Sequence, residues 1–177
     1  MIYTTKELLA KGETEYSIKN KLSSNELFLV ERGLYSEDSQ FFVDESYISK
    51  KYPNAVLTGI SAFYLYDLTN HIPDCFYLAT EQHSFPIKRK DVVQSYQDKT
   101  FFRVGATSKN NTFIYDLERL LIELFRLKEK YPKEIYYEVL SSFRKNKDKL
   151  DFYKINDYLR YFSNGDSLAL KIKEALV

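Results

Sequence analysis

Apolar residues fall at helical spacing near both ends of the chain and in short continuous runs through its middle. Thr4 or Thr5, followed by Glu7 and Leu8-Leu9 and closed by Gly12, predicts a short helix over about 5–11. Thr14 then offers a hydroxyl to the first-turn amides of a second helix over 14–24, in which Ile18 and Leu22 are spaced by four. Leu27 to Val30 is continuously apolar, Glu31-Arg32-Gly33 reads as a turn, and Leu34-Tyr35 resumes an extended pattern, so a β-hairpin is expected. Helix, glycine turn, helix and hairpin in this order outline a winged helix-turn-helix module over 1–40.

The acidic stretch Glu37-Asp38-Ser39-Gln40 reads as the junction to a second domain over 41–177. There Phe41-Phe42-Val43 predicts a strand and Tyr52-Pro53-Asn54 a turn. Ala55 to Tyr66 predicts a buried helix, with Val56, Ile60, Phe63 and Leu65 separated by Gly59, Ser61 and Ala62; Asp67 to Asn70 ends it. Phe76-Tyr77-Leu78-Ala79, Phe101-Phe102-Arg103-Val104 and Phe113-Ile114-Tyr115 read as strands. Phe85-Pro86-Ile87 reads as an edge piece, because proline cannot donate to a ladder. From Asp116, a good N-cap, the period turns helical: Leu117, Leu120, Leu121, Leu124 and Leu127 line one face, and Arg119 and Glu123 form an i,i+4 pair on another. Pro132 opens the next helix, with Ile135, Val139, Leu140 and Phe143 inward. A further helix carries Ile155, Tyr158, Leu159 and Phe162 and stops at Gly165, and Asp166 or Ser167 caps a last one with Leu168, Ile172 and Leu176. The expected fold class is α+β: a winged-helix-like module, then a mixed strand/helix domain ending in a helical segment.

Composition narrows the classes. The 177 residues are 44% hydrophobic and 29% charged, with 16 Tyr and 13 Phe, which excludes a disordered chain. Cys75 is the single cysteine, which excludes an internal disulfide framework and a Cys-rich zinc site; with only His71 and His83 beside it, no metal and no cofactor are expected. Lys6 and Glu7 interrupt the opening residues before an apolar run develops, and no stretch reaches the roughly 20 residues that span a bilayer. A cytoplasmic protein without a membrane partner is the expectation. The net charge of +1 conceals an uneven distribution: residues 1–40 carry −2 and 41–81 carry −3, whereas 86–110 and 126–160 carry +4 each. Attraction to phosphate follows local charge, so a polyanion would be sought first in the back half.

Three segments carry a family resemblance. Thr4 to Tyr35, with Leu8, Gly12, Leu22 and Leu29-Val30-Glu31-Arg32-Gly33-Leu34-Tyr35, resembles the winged-helix start of AbiEi-family antitoxins, whose wing ends in Arg-Gly-x-Tyr. Pro53 to Thr69, through Leu57-Thr58-Gly59-Ile60-Ser61-Ala62, resembles that family's strand-and-helix segment. Tyr115 to Arg126 is similar to its Glu-Arg-Thr helix, with Leu120 standing where the threonine is usual. The order and spacing of all three agree. The resemblance implies an antitoxin of a type IV toxin-antitoxin pair linked to abortive phage infection, functionally paired with a nucleotidyltransferase-like toxin and repressing its own operon through the winged helix. Family members commonly carry an additional first helix and a longer C-terminal domain, so this chain reads as a compact version.

The candidate chemistry follows from these placements. In a helix-turn-helix the second helix presents early side chains to base edges, here Glu15, Tyr16, Ser17, Lys19, Asn20 and Lys21. Asn20 suits adenine, Lys19 and Lys21 suit phosphate, and Arg32 on the wing suits phosphate or the minor groove. Against this, Glu13, Glu15, Glu26 and Glu31 oppose the field that phosphate binding needs. Lys88, Arg89, Lys90, Arg126, Lys128, Arg144, Lys145, Lys147 and Lys149 offer a second surface for a partner or a nucleic acid, or are solvated helix faces. Asp74, Glu81, His83 and Lys88 resemble in type, not spacing, a nuclease's metal set, and Cys75 reads as a small core residue. Asp116, Glu118 and Arg119 read as a cap and an ion pair. The reading is a non-enzymatic antitoxin and autorepressor acting on operator DNA. The alternatives are a toxin-neutralising module without DNA binding and, behind it, a metal-dependent nuclease.

Overall fold

The computed structural model describes residues 1–109 and 112–176, and the fold is α+β, in two compact units, Met1–Pro53 and Asn54–Val177.

In the first unit three antiparallel strands, β1 (Ile2–Thr4), β2 (Phe28–Glu31) and β3 (Leu34–Ser36), are ordered β1-β3-β2. Two short helices, α1 (Thr5–Ala10) and α2 (Glu15–Ser23), lie between β1 and β2 in the chain. Both begin in reciprocal caps: Thr4 Oγ1 accepts from Glu7 N while the Glu7 carboxylate accepts from Thr4 N, and Thr14 exchanges the same bonds with Ser17. Gly12, at φ +89°, makes the turn between them, a conformation that any side chain would strain. Tyr3, Leu8, Ile18 and Leu27 form the core, with Leu22 and Tyr35 against it.

The expected junction at 37–40 is not a boundary. A helix absent from the sequence reading, α3 (Glu45–Lys51), is capped by Asp44, buries Tyr47 and Ile48 and packs on β1, so the first unit continues to Pro53. Lys50 reaches the Glu7 carboxylate at 2.6 Å and Lys51 reaches Glu31 at 2.6 Å. Phe41-Phe42-Val43, expected as a strand, is irregular and exposed, since no neighbouring strand is paired with it.

The second unit is built on a five-stranded mixed sheet with the order β6-β5-β4-β8-β7, from β4 (Val56–Leu57), β5 (Phe76–Glu81), β6 (Val92–Gln97), β7 (Ala106–Lys109) and β8 (Thr112–Tyr115). Central β4 is antiparallel to β5 and parallel to β8; β6 runs parallel to β5 at one edge. The segment expected as one helix over 55–66 therefore divides into β4 and α4 (Gly59–Leu65). Phe85-Pro86-Ile87 pairs with no strand; instead Ile87 N donates to the Gln94 side chain, which donates in turn to Thr80 Oγ1.

Helix α5 (Leu117–Arg126) touches α4, α6 (Lys133–Lys145), α7 (Phe152–Leu159) and α8 (Gly165–Leu176). It begins at Asp116, whose carboxylate accepts from Arg119 N, from Tyr158 Oη and from Lys154 Nζ. Burial and the Asp116 contact push the Tyr158 hydroxyl up to about 12. Every residue from Glu118 to Leu124 is buried, so its polar side is enclosed as well as its apolar one. Arg119 and Glu123 are both wholly inaccessible, and Glu123 holds two arginines. Its Oε1 accepts from Arg119 Nε at 2.9 Å, and its Oε2 accepts from Arg126 Nη2 at 2.7 Å. Arg119 Nη1 donates to the carbonyls of Phe101 and Val104, and its guanidinium lies 4.6 Å from the Tyr115 ring centre and 5.0 Å from that of Phe162.

Those carbonyl contacts correct the strand expected at 101–104. Arg119 takes the carbonyls that a ladder would use, and Tyr115 Oη takes that of Phe102, so the residues fold into turns between β6 and β7. Gly105 closes the turn at φ +75°; a Cβ there would lie 2.6 Å from Arg119 Cβ. The helix expected to reach Gly165 ends at Leu159, and Gly165 instead begins α8, close enough to the Leu159 carbonyl to exclude a side chain.

Removing one member of a buried ionic cluster strands the others. Glu123→Ala is expected to cost about 3–5 kcal/mol in urea unfolding, because two guanidinium groups lose their counter-charge. Arg126→Ala, which leaves the Arg119–Glu123 pair intact, is expected to cost clearly less in the same measurement.

Candidate nucleic-acid interface

Helix α2 is oriented by its apolar residues. Ile18 enters the core with Leu22 beside it, which turns Tyr16, Lys19, Asn20 and Ser23 to the outside at i, i+3, i+4 and i+7. Tyr16 is 75% exposed, Lys19 and Asn20 are exposed, and Glu15 lies next to them. Among the described residues, nothing hydrogen-bonds or ion-pairs with the side chains of Tyr16, Lys19 or Asn20. Arg32, at the β2–β3 turn, is also exposed; Gly33 follows at φ +82°, and the register shifts between Leu29 and Glu31.

Two of the expected contact residues are engaged locally. Ser17 Oγ accepts from Thr14 N at 2.8 Å and donates to Glu13 Oε2 at 2.7 Å, so it serves the helix cap. Lys21 is paired with Glu13, and the pair holds the lysine above its ordinary value and the glutamate below its own, chiefly through the shared hydrogen bond. Glu13, expected from the sequence only to repel phosphate, is instead the partner that holds Lys21. Its position before the α2 N-terminus, where a carboxylate is favoured, was the available signal. Residues 1–53 carry seven basic and nine acidic side chains, so the outward face of α2 sits in a weakly acidic unit.

The basic residues of the second unit separate into two kinds. Arg89 clamps Asp91 through Nε at 2.9 Å and Nη2 at 2.6 Å, holding that carboxyl below its usual range. Arg126 belongs to the Glu123 cluster and also donates to Gln97 Oε1 at 2.7 Å, and Arg144 Nε donates to the Ala175 carbonyl. Arg126 and Arg144 fasten elements together, whereas the Arg89–Asp91 clamp is local to the turn before β6. Lys88 and Lys90, before β6, are exposed, as are Lys145, Lys147 and Lys149 at the end of α6 and in the turn after it. Lys147 rims an open cavity with Lys173 over Leu150, Phe152 and Leu176.

Of the residues weighed for nuclease chemistry, Asp74 is exposed, Glu81 ends β5, and His83 occupies a left-handed turn position at φ +71°. Among the described residues no three His, Cys, Asp or Glu side chains converge to hold a metal ion. Cys75 is half-buried, with Sγ 3.7 Å from the Lys90 carbonyl oxygen. No described helix is long and apolar enough to cross a membrane.

The Thr14 cap fixes the start of α2 and with it the direction of Tyr16. Thr14→Ala is expected to lower the unfolding free energy by about 1 kcal/mol, read by chemical denaturation, and to raise amide exchange in the first turn of α2. No protein-family model matches the chain, and no curated protein matches it.

Proposed function

We propose that the chain is a DNA-binding antitoxin that represses its own operon. In this reading residues 1–53 are a winged-helix-like module that lays the Tyr16–Lys19–Asn20 face of α2 into the major groove and sets Arg32 against the backbone. Asn54–Val177 carries the antitoxin role opposite a nucleotidyltransferase-like toxin. One observation carries the DNA half: a helix capped at Thr14 and anchored by Ile18 leaves an aromatic, an amide and a cation together on its open face. Asn20 has the two-headed amide that matches adenine, and Tyr16 offers a large flat contact surface. The antitoxin half rests on the resemblance of Pro53–Thr69 and Tyr115–Arg126 to the AbiEi family.

The charge of the first unit sets the expected strength. With Lys21 held by Glu13, Lys19 and Arg32 are the side chains left for phosphate, so binding is weak at one site and needs repeated sites to act. The acidic balance also favours a second reading, in which the same face binds protein and the chain neutralises a toxin without touching DNA.

Gel shifts on the region upstream of its own reading frame separate the two. The expected slope of log affinity against log salt is about −2 for each bound copy, from two phosphate contacts. Asn20→Ala is expected to weaken operator binding about tenfold while leaving non-specific DNA unaffected. Glu13→Gln, which releases Lys21, is expected to strengthen binding on all sequences and steepen the slope by about one. An upstream region that is never retarded at low salt removes the repressor and leaves the protein-binding reading.

A further inference from the structure

We propose that two copies of the chain join edge to edge through β6, antiparallel about a two-fold axis at Gln94, extending the five-stranded sheet across the seam. The pairing is independent of any DNA contact by α2.

The parity of the β5–β6 ladder fixes which groups are open. Phe76 N donates to the Asp91 carbonyl and Gln82 N to the Gln97 carbonyl, so with the continuous parallel register between them the odd-numbered residues of β6 face β5. Val92, Gln94 and Tyr96 point their N–H and C=O groups away from the sheet, and among the described residues no backbone partner takes them.

Natural edges are blunted with charge, proline or a bulge. Val92-Val93-Gln94-Ser95-Tyr96-Gln97 contains neither a charged residue nor a proline, and its register is unbroken over all 6 residues. Val93 and Tyr96 are 42% and 48% exposed.

The occupant is identified by self-complementarity. Antiparallel pairing requires outward residues to oppose outward residues. Centring the axis on Gln94 places each outward N–H of one copy opposite an outward C=O of the other. In that register Val92 faces Tyr96 of the second copy, a β-branched residue against an aromatic one, on either side of a Gln94–Gln94 pair. In the turn two residues before β6, exposed Lys90 stands at the position that this register sets against exposed Asp98, again twice by symmetry. Asp98 is held below the usual carboxylate range, chiefly by the Thr100 hydroxyl, and so stays charged at neutral pH. Moving the axis by two residues brings Val92 opposite itself or Tyr96 opposite itself and leaves Lys90 facing no acid at a matching position. An axis at Val93 also opposes the outward groups, but it sets Lys88 and not Lys90 against Asp98, so the Lys90 variants below read the register.

Sedimentation velocity on the full chain tests this directly. A seam of one strand is at the small end of stable interfaces, so a concentration-dependent dimer with a Kd of about 100 μM or tighter is expected. Tyr96→Pro removes an outward N–H that bonds nothing among the described residues, and is expected to leave a monomer. Lys90→Glu is expected to weaken the dimer about tenfold. Lys90→Glu combined with Asp98→Lys restores the opposite charges across the seam and is expected to bring affinity back to within about threefold of the parent. Lys90 is an exposed side chain, so the charge pair of variants remains informative if Tyr96→Pro does not fold, which circular dichroism reports. A monomer at every concentration up to about 500 μM overturns the proposal. So does a dimer that ignores both the proline and the charge reversal, since its seam then lies elsewhere.

Discussion

Glu123 is one carboxylate placed between two guanidinium groups with no access to water, and the second unit is arranged around that fact. An isolated buried charge is expensive, and here other donors of the two arginines find acceptors that also do structural work, while Arg119 Nη2 lies 2.8 Å from Glu123 Oε1 without a hydrogen bond. Arg119 spends Nη1 on two carbonyls of the segment between β6 and β7, and Arg126 spends Nη2 on Gln97 at the end of β6. The helix thereby dictates where the edge strand ends and how the following residues turn. A cluster of leucines in the same place would fill the volume without specifying that path.

The first unit has no such enclosed cluster among its described residues and is held by local caps and partly exposed ion pairs. Helices α1 and α2 are too short to persist alone, and each relies on a threonine cap at one end and a buried leucine or isoleucine in the middle. The added helix α3 contributes two lysines to acids on α1 and β2, so a unit with an acidic balance is tied together by the cations it has. That economy bears on the α2 face. A lysine bound to Glu13 does not reach outward, and the residues left to make contacts are an aromatic and an amide more than a field of charge.

Much of this was legible from residue order. Thr4, Thr14 and Asp116 occupy the cap positions that their side chains favour, and the leucine spacing of α5 placed a helix buried without a break from Glu118 to Leu124. What escaped was whatever depended on distant partners. Ile2–Thr4 is three residues long and is a strand only because Leu34–Ser36 comes back beside it. Phe101 to Val104 has the composition of a strand, yet its carbonyls belong to an arginine 15 or more residues later. At the α2 face, local spacing revealed which side chains point out, and Ile18 and Leu22 were enough for that. It did not reveal that Ser17 and Lys21 are occupied, because Glu13 lies outside α2 and so outside its periodic pattern.

The central pairing of β4 with β8 joins Leu57 to Ile114. During synthesis the first 53 residues emerge as a closed set, every strand and helix of that unit having its neighbours already made. The sheet of the second unit, by contrast, stays open on one side of β4 until the ribosome has passed Tyr115 and α5 can follow. Nascent chains therefore carry a finished small unit while the larger one is incomplete, and Glu123 meets its arginines only once α5 has been made.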